Sequence, residues 1–211
     1  MTSKHRFYTC FLKRFLDIII SFFALIVLSP LMLVFAVLVG VTSKGPILFK
    51  QDRLGINGKV FKMLKFRSMI VGAEAQGVYS DNKDKRVTKV GKFLRKTSLD
   101  ELPQLVNMLK GDMSLIGPRP PLTYHPWPID QYTDEQKRMF DVRPGMTGWA
   151  QVNGRKEVEW IKRIELNVWY VDHVSFLLDA KIFFMTLFKV FSNEGNENKG
   201  ATVKSEEKIE R

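Results

Sequence analysis

Asp100 and Glu101 stand side by side, two residues before Pro103. Adjacent carboxylates can attack or take a proton, hold a hard cation, or simply cap a helix. The plain explanation is available, because Ser98 and Glu101 have the S-x-x-E spacing of a capping box and acids favour helix starts. The cations around the pair point elsewhere. Lys65, Arg67, Arg95, Lys96, Arg119 and Arg143 each fall in or beside a predicted turn, on segments that could converge on the same helix end. An arginine on a rigid Pro/Gly turn suits phosphate, since the turn sets the guanidinium fork before ligand arrives. With a single cysteine, Cys10, and 3 histidines, no zinc-type ligand set is available, and carboxylates among cations suggest Mg²⁺ on oxygen ligands.

Several elements must position these groups. Ile47 to Phe66 alternates apolar and polar residues around Gly55-Ile56-Asn57-Gly58 and predicts a β-hairpin whose second arm delivers Lys65 and Arg67. Val71 to Lys85 is polar and reads as a loop over or beside the site. Val90 to Lys96 predicts a basic helix. The next helix is expected to begin near Asp100, because Pro103 is tolerated in a first turn, and to end around Gly111. This places both carboxylates at a helix N-terminus, where the dipole and nearby cations would keep Asp100 ionised. Gly117 to Pro121 and Arg143 to Gly148 read as rigid turns, and Glu157 to Val171 as a helix. Ala180 to Phe191 is apolar but too short to cross a bilayer; it lies in the membrane interface or packs in the core. Beyond Ser192 the chain turns polar and is expected to be a disordered tail.

The densest apolar block, Ile18 to Val41, carries no charge over about 24 positions, against about 20 for a spanning helix. Both flanks are basic, with Lys4, Arg6, Lys13 and Arg14 before it and Lys44, Lys50, Arg53 and Lys59 after it, so neither end prefers the far side. Ser29-Pro30 falls at the middle and predicts a bend. A re-entrant hairpin satisfies both flanks; a kinked spanning helix is the alternative.

The fold class is therefore predominantly α with a small β-hairpin (α+β), with an N-terminal re-entrant membrane helix over 1–43, a cytoplasmic-face catalytic domain over 44–192 and a disordered tail over 193–211. A net charge of +11 seeks anions, whether lipid, nucleic acid or phosphorylated substrate. Nucleic acid is disfavoured because the cations are spread over turns and membrane flanks. A basic membrane-surface scaffold remains the rival to an enzyme, though it gives no reason for arginine turns beside a carboxylate pair.

Three runs carry a resemblance: Lys65-Phe66-Arg67-Ser68-Met69, Arg95 through Gln104, and Gly111 through Pro120. With Arg143 to Gly148 and Trp149 to Arg155, and in this order from about Lys13 to Phe191, they closely resemble the bacterial sugar transferases called monotopic phosphoglycosyl transferases. The resemblance implies transfer of a sugar-1-phosphate from a UDP-sugar to polyprenyl phosphate with release of UMP, in two steps through a phosphosugar-aspartyl enzyme. It maps the nucleophile onto Asp100 and its acidic partner onto Glu101, as metal ligand or as manager of the acceptor's proton. It further implies Mg²⁺ on Asp100 and Glu101, phosphate contacts from Arg95, Arg119 and Lys65, and a nucleotide contact from Arg143. The implied partners are UDP-sugar, polyprenyl phosphate and membrane lipids, with a homo-oligomer open. The implied place is the cytoplasmic face of the bacterial inner membrane, in capsule, O-antigen or glycoprotein assembly. By its length the chain is expected to be a minimal catalytic unit, with a lean toward an N-acetylated sugar.

Overall fold

A computed structural model describes residues 8–77, 84–154 and 159–191. After a π-helical turn at Tyr8–Leu12, the apolar block forms one long helix, α1 (Lys13–Thr42), with Pro30 inside it. Proline lacks the N–H that would bond the carbonyl four residues earlier. That carbonyl belongs to Ile26, and Ser29 Oγ donates to it at 2.8 Å. Serine before proline thus restores the bond that proline removes, and the helix passes through the pair.

Both halves of α1 engage the rest of the chain. At its start Lys13 pairs with Asp179, and Asp17 Oδ1 accepts from Leu115 N at 2.9 Å. Toward its end Phe35 and Val39, 7% and 2% exposed, pack with Phe66 and Leu94. Between them Phe22, Phe23, Ile26 and Val27 are exposed, Val27 to 72%. The helix is long and apolar enough to cross a membrane, and it has bare apolar side chains along its length, from Phe15 to Val41.

The expected hairpin is present: β1 (Leu48–Leu54) and β2 (Val60–Phe66) are antiparallel, from Leu48 opposite Phe66 to Leu54 opposite Val60. Its turn places Asn57 and Gly58 at φ 53° and 70°, a left-handed pair that asparagine and glycine adopt readily. Helix α2 (Lys89–Thr97) starts on a Thr88 cap, whose Oγ1 accepts from Gly91 N at 2.9 Å. Helix α3 (Gln104–Lys110) follows a 3₁₀ turn at Leu99–Glu101 and closes on Gly111 at φ 100°.

Two three-residue strands, β3 (Ser114–Ile116) and β4 (Gly145–Thr147), pair in parallel. Arg143 to Gly148, expected as a turn, is instead extended over Gly145–Thr147, where Gly117 N donates to Thr147 O at 2.9 Å. Helices α4 (Asp134–Lys137), α5 (Trp149–Gly154), α6 (Trp160–His173) and α7 (Phe176–Phe191) complete the described elements. The last helix packs Ile182 in the core and leaves Phe176, Leu177, Phe184 and Phe188 as a bare apolar face. Part of the 71–85 loop, Arg155, Glu157 and the predicted 193–211 tail lie outside the described residues.

Candidate active site

Ser98 closes helix α2 in a left-handed conformation, φ 58°, with its N–H on Arg95 O at 3.4 Å. Its side chain makes no capping bond, so the S-x-x-E box is not formed. Helix α3 also starts later than expected, after Pro103. Asp100 and Glu101 therefore sit on the tight turn between two helices rather than in a first helical turn. The turn buries Asp100, 8% exposed, and leaves Glu101 half-buried.

The hairpin is fastened against this turn by one buried side chain. Asn107 Oδ1 accepts from Leu64 N at 2.9 Å and its Nδ2 donates to Lys62 O at 2.8 Å and Asp112 Oδ2 at 3.0 Å. With β2 so held against α3, Lys65 Nζ reaches Glu101 Oε1 at 2.7 Å. Across the cavity stands the proline turn. Gly145 N donates to Pro118 O at 2.9 Å and Leu54 N to Pro121 O at 3.0 Å. Gly145 must be glycine here, because a Cβ would lie 2.1 Å from Gly117 N. The cavity is lined by Arg53, Met63, Lys65, Gln104, Arg119, Pro120, Gly145 and Met146.

The two carboxylates are driven apart in acidity. Burial, with the neighbouring Glu101 charge, raises the Asp100 carboxyl above the ordinary aspartate range, opposed by Lys65 and Arg95. The cations expected to keep Asp100 ionised, Lys65 and Arg95, do act in that direction, but desolvation outweighs them. Burial would raise Glu101 too, but Lys65, then Arg119 and Arg53, outweigh it and hold Glu101 down to about 2. Arg53 is itself lowered to about 9 by burial and then by Arg119. Two adjacent titratable groups with opposed shifts are a mark of a reactive site.

Lys65 and Arg119 line this cavity; Glu101 joins it through its ion pair with Lys65 and the charge of Arg119, and Asp100 feels Lys65 and Arg95 from its buried place on the turn. Arg67 turns away and donates to Ser43 O, at the end of α1. Arg143 Nε donates to Gly111 O at 3.1 Å, at the end of α3 opposite the carboxylates. The turn that follows Arg143 does reach the cavity, through Gly145 and Met146. Arg53 and Gln104 were not singled out from the sequence. Gln104, a polar residue in the first turn of a short apolar helix, is a signal the sequence offers; nothing local marks Arg53, which faces away from the buried Leu54 next to it.

Among the described residues no group of three or more His, Cys, Asp or Glu could form a protein-only metal cage. Asp100 and Glu101 offer oxygen alone, which suits Mg²⁺, an ion that takes one or two carboxylates and completes its shell with water and substrate phosphate. The donor set fits that ion and no soft metal.

A helix long and apolar enough to cross a membrane, a carboxylate turn and a cationic cavity thus occur in one chain whose residues 8–193 match the bacterial sugar transferase family. The chain belongs to that family. It is similar to the uncharacterized sugar transferase EpsL of Bacillus subtilis, 45% identical over 184 residues, 87% of this chain and 89% of that protein. It is 48% identical over 188 residues to the UDP-glucose:undecaprenyl-phosphate glucose-1-phosphate transferase of Klebsiella pneumoniae, covering 86% of this chain and 40% of that one. An Aeromonas hydrophila UDP-N-acetylgalactosamine-undecaprenyl-phosphate N-acetylgalactosaminephosphotransferase is 41% identical over 192 residues, 88% of this chain and 45% of its own. The chain thus spans less than half of the two relatives whose substrates are named.

Proposed function

We propose that the protein transfers a sugar-1-phosphate from a UDP-sugar to polyprenyl phosphate at the cytoplasmic face of the inner membrane, in glycan assembly. The observation that carries this reading is the buried Asp100 next to Glu101, whose ion pair with Lys65 opens on the cavity that Arg119 lines, in a chain of this family. An Asp100 carboxylate oxygen attacks the sugar-proximal phosphorus of the UDP-sugar, the bond to the bridging oxygen breaks, and UMP leaves with that oxygen. A phosphate oxygen of the polyprenyl phosphate then attacks the same phosphorus, the bond to Asp100 breaks, and the carboxylate is restored. Splitting one displacement into two lets both phosphorylated substrates use the same cations in turn.

Lys65, Arg119 and Arg95 hold phosphate oxygens in this reading. Lys65 and Arg119 favour the ionised form of Glu101, which suits it to holding a cation in this reading. Asp100 and Glu101 would hold Mg²⁺, which supplies charge to offset the repulsion between carboxylate and diphosphate.

The anchor is read as re-entrant. Lys13 and Asp17 at one end of α1, and Phe35 and Val39 at the other, contact the same domain, while the bare stretch between them suits lipid. The bare apolar face of α7 suits the membrane surface beside it.

The named sugars differ between relatives, glucose in one and N-acetylgalactosamine in another, so a panel of UDP-sugars is the test. With Mg²⁺ and polyprenyl phosphate, the membrane-bound protein should release UMP from one of them, and chelation should stop it. Release unchanged in Asp100→Asn would remove Asp100 as the nucleophile, and no release from any sugar would favour a lipid-binding scaffold.

A further inference from the structure

The turn that carries Arg119 presents an unusual holding problem. Pro118, Pro120 and Pro121 have no N–H, so their carbonyls are the main-chain groups left for fastening. Two of these carbonyls are held by main chain, Pro118 O by Gly145 N and Pro121 O by Leu54 N. The middle one, next to Arg119, is held by a side chain: Arg53 Nη1 donates to Pro120 O at 2.9 Å. Arg53 is fixed in turn by Gln51, whose Oε1 accepts from Arg53 Nε at 3.1 Å and also from Nη2. Gln51 Nε2 donates to Glu74 Oε1 at 3.1 Å. Gln51 and Arg53 lie two apart on β1, hence on one face of the hairpin.

We infer that Arg53 is the positioning residue of the donor-phosphate pocket, setting the Pro118–Pro121 turn so that Arg119 faces the carboxylates, with Gln51 fixing its guanidinium. This rests on the transferase reading above. The planar guanidinium can hold a carbonyl on one side and an amide oxygen on the other, which an ammonium does with less direction. The Arg119 charge works against a second guanidinium beside it, and the bonds to Pro120 O and Gln51 Oε1 hold Arg53 there despite that repulsion. Because Arg53 acts through Arg119, the two losses should not add.

The test is a double-mutant cycle on UMP release by the full membrane-bound chain, with hydrogen exchange as a second readout. Arg53→Ala should lower kcat/KM about tenfold to a hundredfold, the size of a lost hydrogen bond to a charged group. Arg53→Lys should recover only part of this, and Gln51→Ala should show a smaller loss in the same direction. Arg53→Ala combined with Arg119→Ala should be no worse than Arg119→Ala alone, and the Arg119 amide should exchange faster in Arg53→Ala. Additive losses would overturn the inference and make Arg53 an independent contributor. Unchanged Arg119 exchange would overturn it whatever the activity. An inactive parent with faster Arg119 exchange in Arg53→Ala would sink the transferase reading, leaving only the fastening of the turn.

Discussion

Asn107 spans the gap between α3 and β2, accepting from Leu64 N at 2.9 Å while donating to Lys62 O at 2.8 Å. One side chain thereby sets the height of the hairpin against the carboxylate turn. Asn107→Ala should leave buried main-chain groups unpaired and cost about 2 to 4 kcal/mol of stability. Chemical denaturation in detergent micelles would measure it. Activity should fall as well, because Lys65 loses its registration on Glu101; a stable, fully active Ala variant would show that the hairpin is held by other contacts.

The pH dependence follows from the opposed shifts. Asp100 must be ionised to attack, and burial raises its carboxyl, so activity should fall on acidification at a higher pH than an exposed aspartate would dictate. Lys65 lowers Asp100, and removing that charge must raise it further. The acid limb of the kcat/KM profile should therefore move to higher pH in Lys65→Met. A limb that stays put or moves to lower pH would mean that another group governs it.

Membrane topology is testable with reporters fused at either end. Both termini should report from the cytoplasmic side. Ser29-Pro30→Ala-Ala restores the N–H that Ile26 O lacks and frees that carbonyl from the serine hydroxyl, favouring a straight helix. The N-terminal reporter should then shift to the far side in part of the population. An N-terminus already periplasmic in the parent would make α1 a spanning helix.

Much of this architecture was legible because period and turn chemistry agree along the chain. The hairpin around Gly55 to Gly58 and helices α2 and α6 stand close to where alternation and helical spacing put them. The β3 and β4 strands were hidden because three residues carry no period, and their Gly/Pro neighbours signal turns. The late start of α3 reflects Ser98, whose left-handed backbone ends one helix and spends the residue that was expected to cap the next. Site membership was harder to read than the presence of cations. Lys65 and Arg67 lie two apart, yet one meets Glu101 and the other Ser43, because β2 ends between them at Phe66. Arg53 looked like a membrane-flank charge, since nothing local reveals that its neighbour in space is the proline turn. The raised Asp100 carboxyl needed burial, a property of the packed turn and not of the spacing of charges.

The most direct test is the covalent state of the protein itself. The parent and Asp100→Asn would each be incubated with the UDP-sugar that supports turnover and Mg²⁺, without polyprenyl phosphate, and their intact masses compared. The account predicts an added sugar-phosphate on the parent, mapped to the peptide containing Asp100, discharged by polyprenyl phosphate and absent from the Asn variant. UMP release that strictly requires polyprenyl phosphate, with no adduct at any time, or an adduct on a different residue, would contradict it.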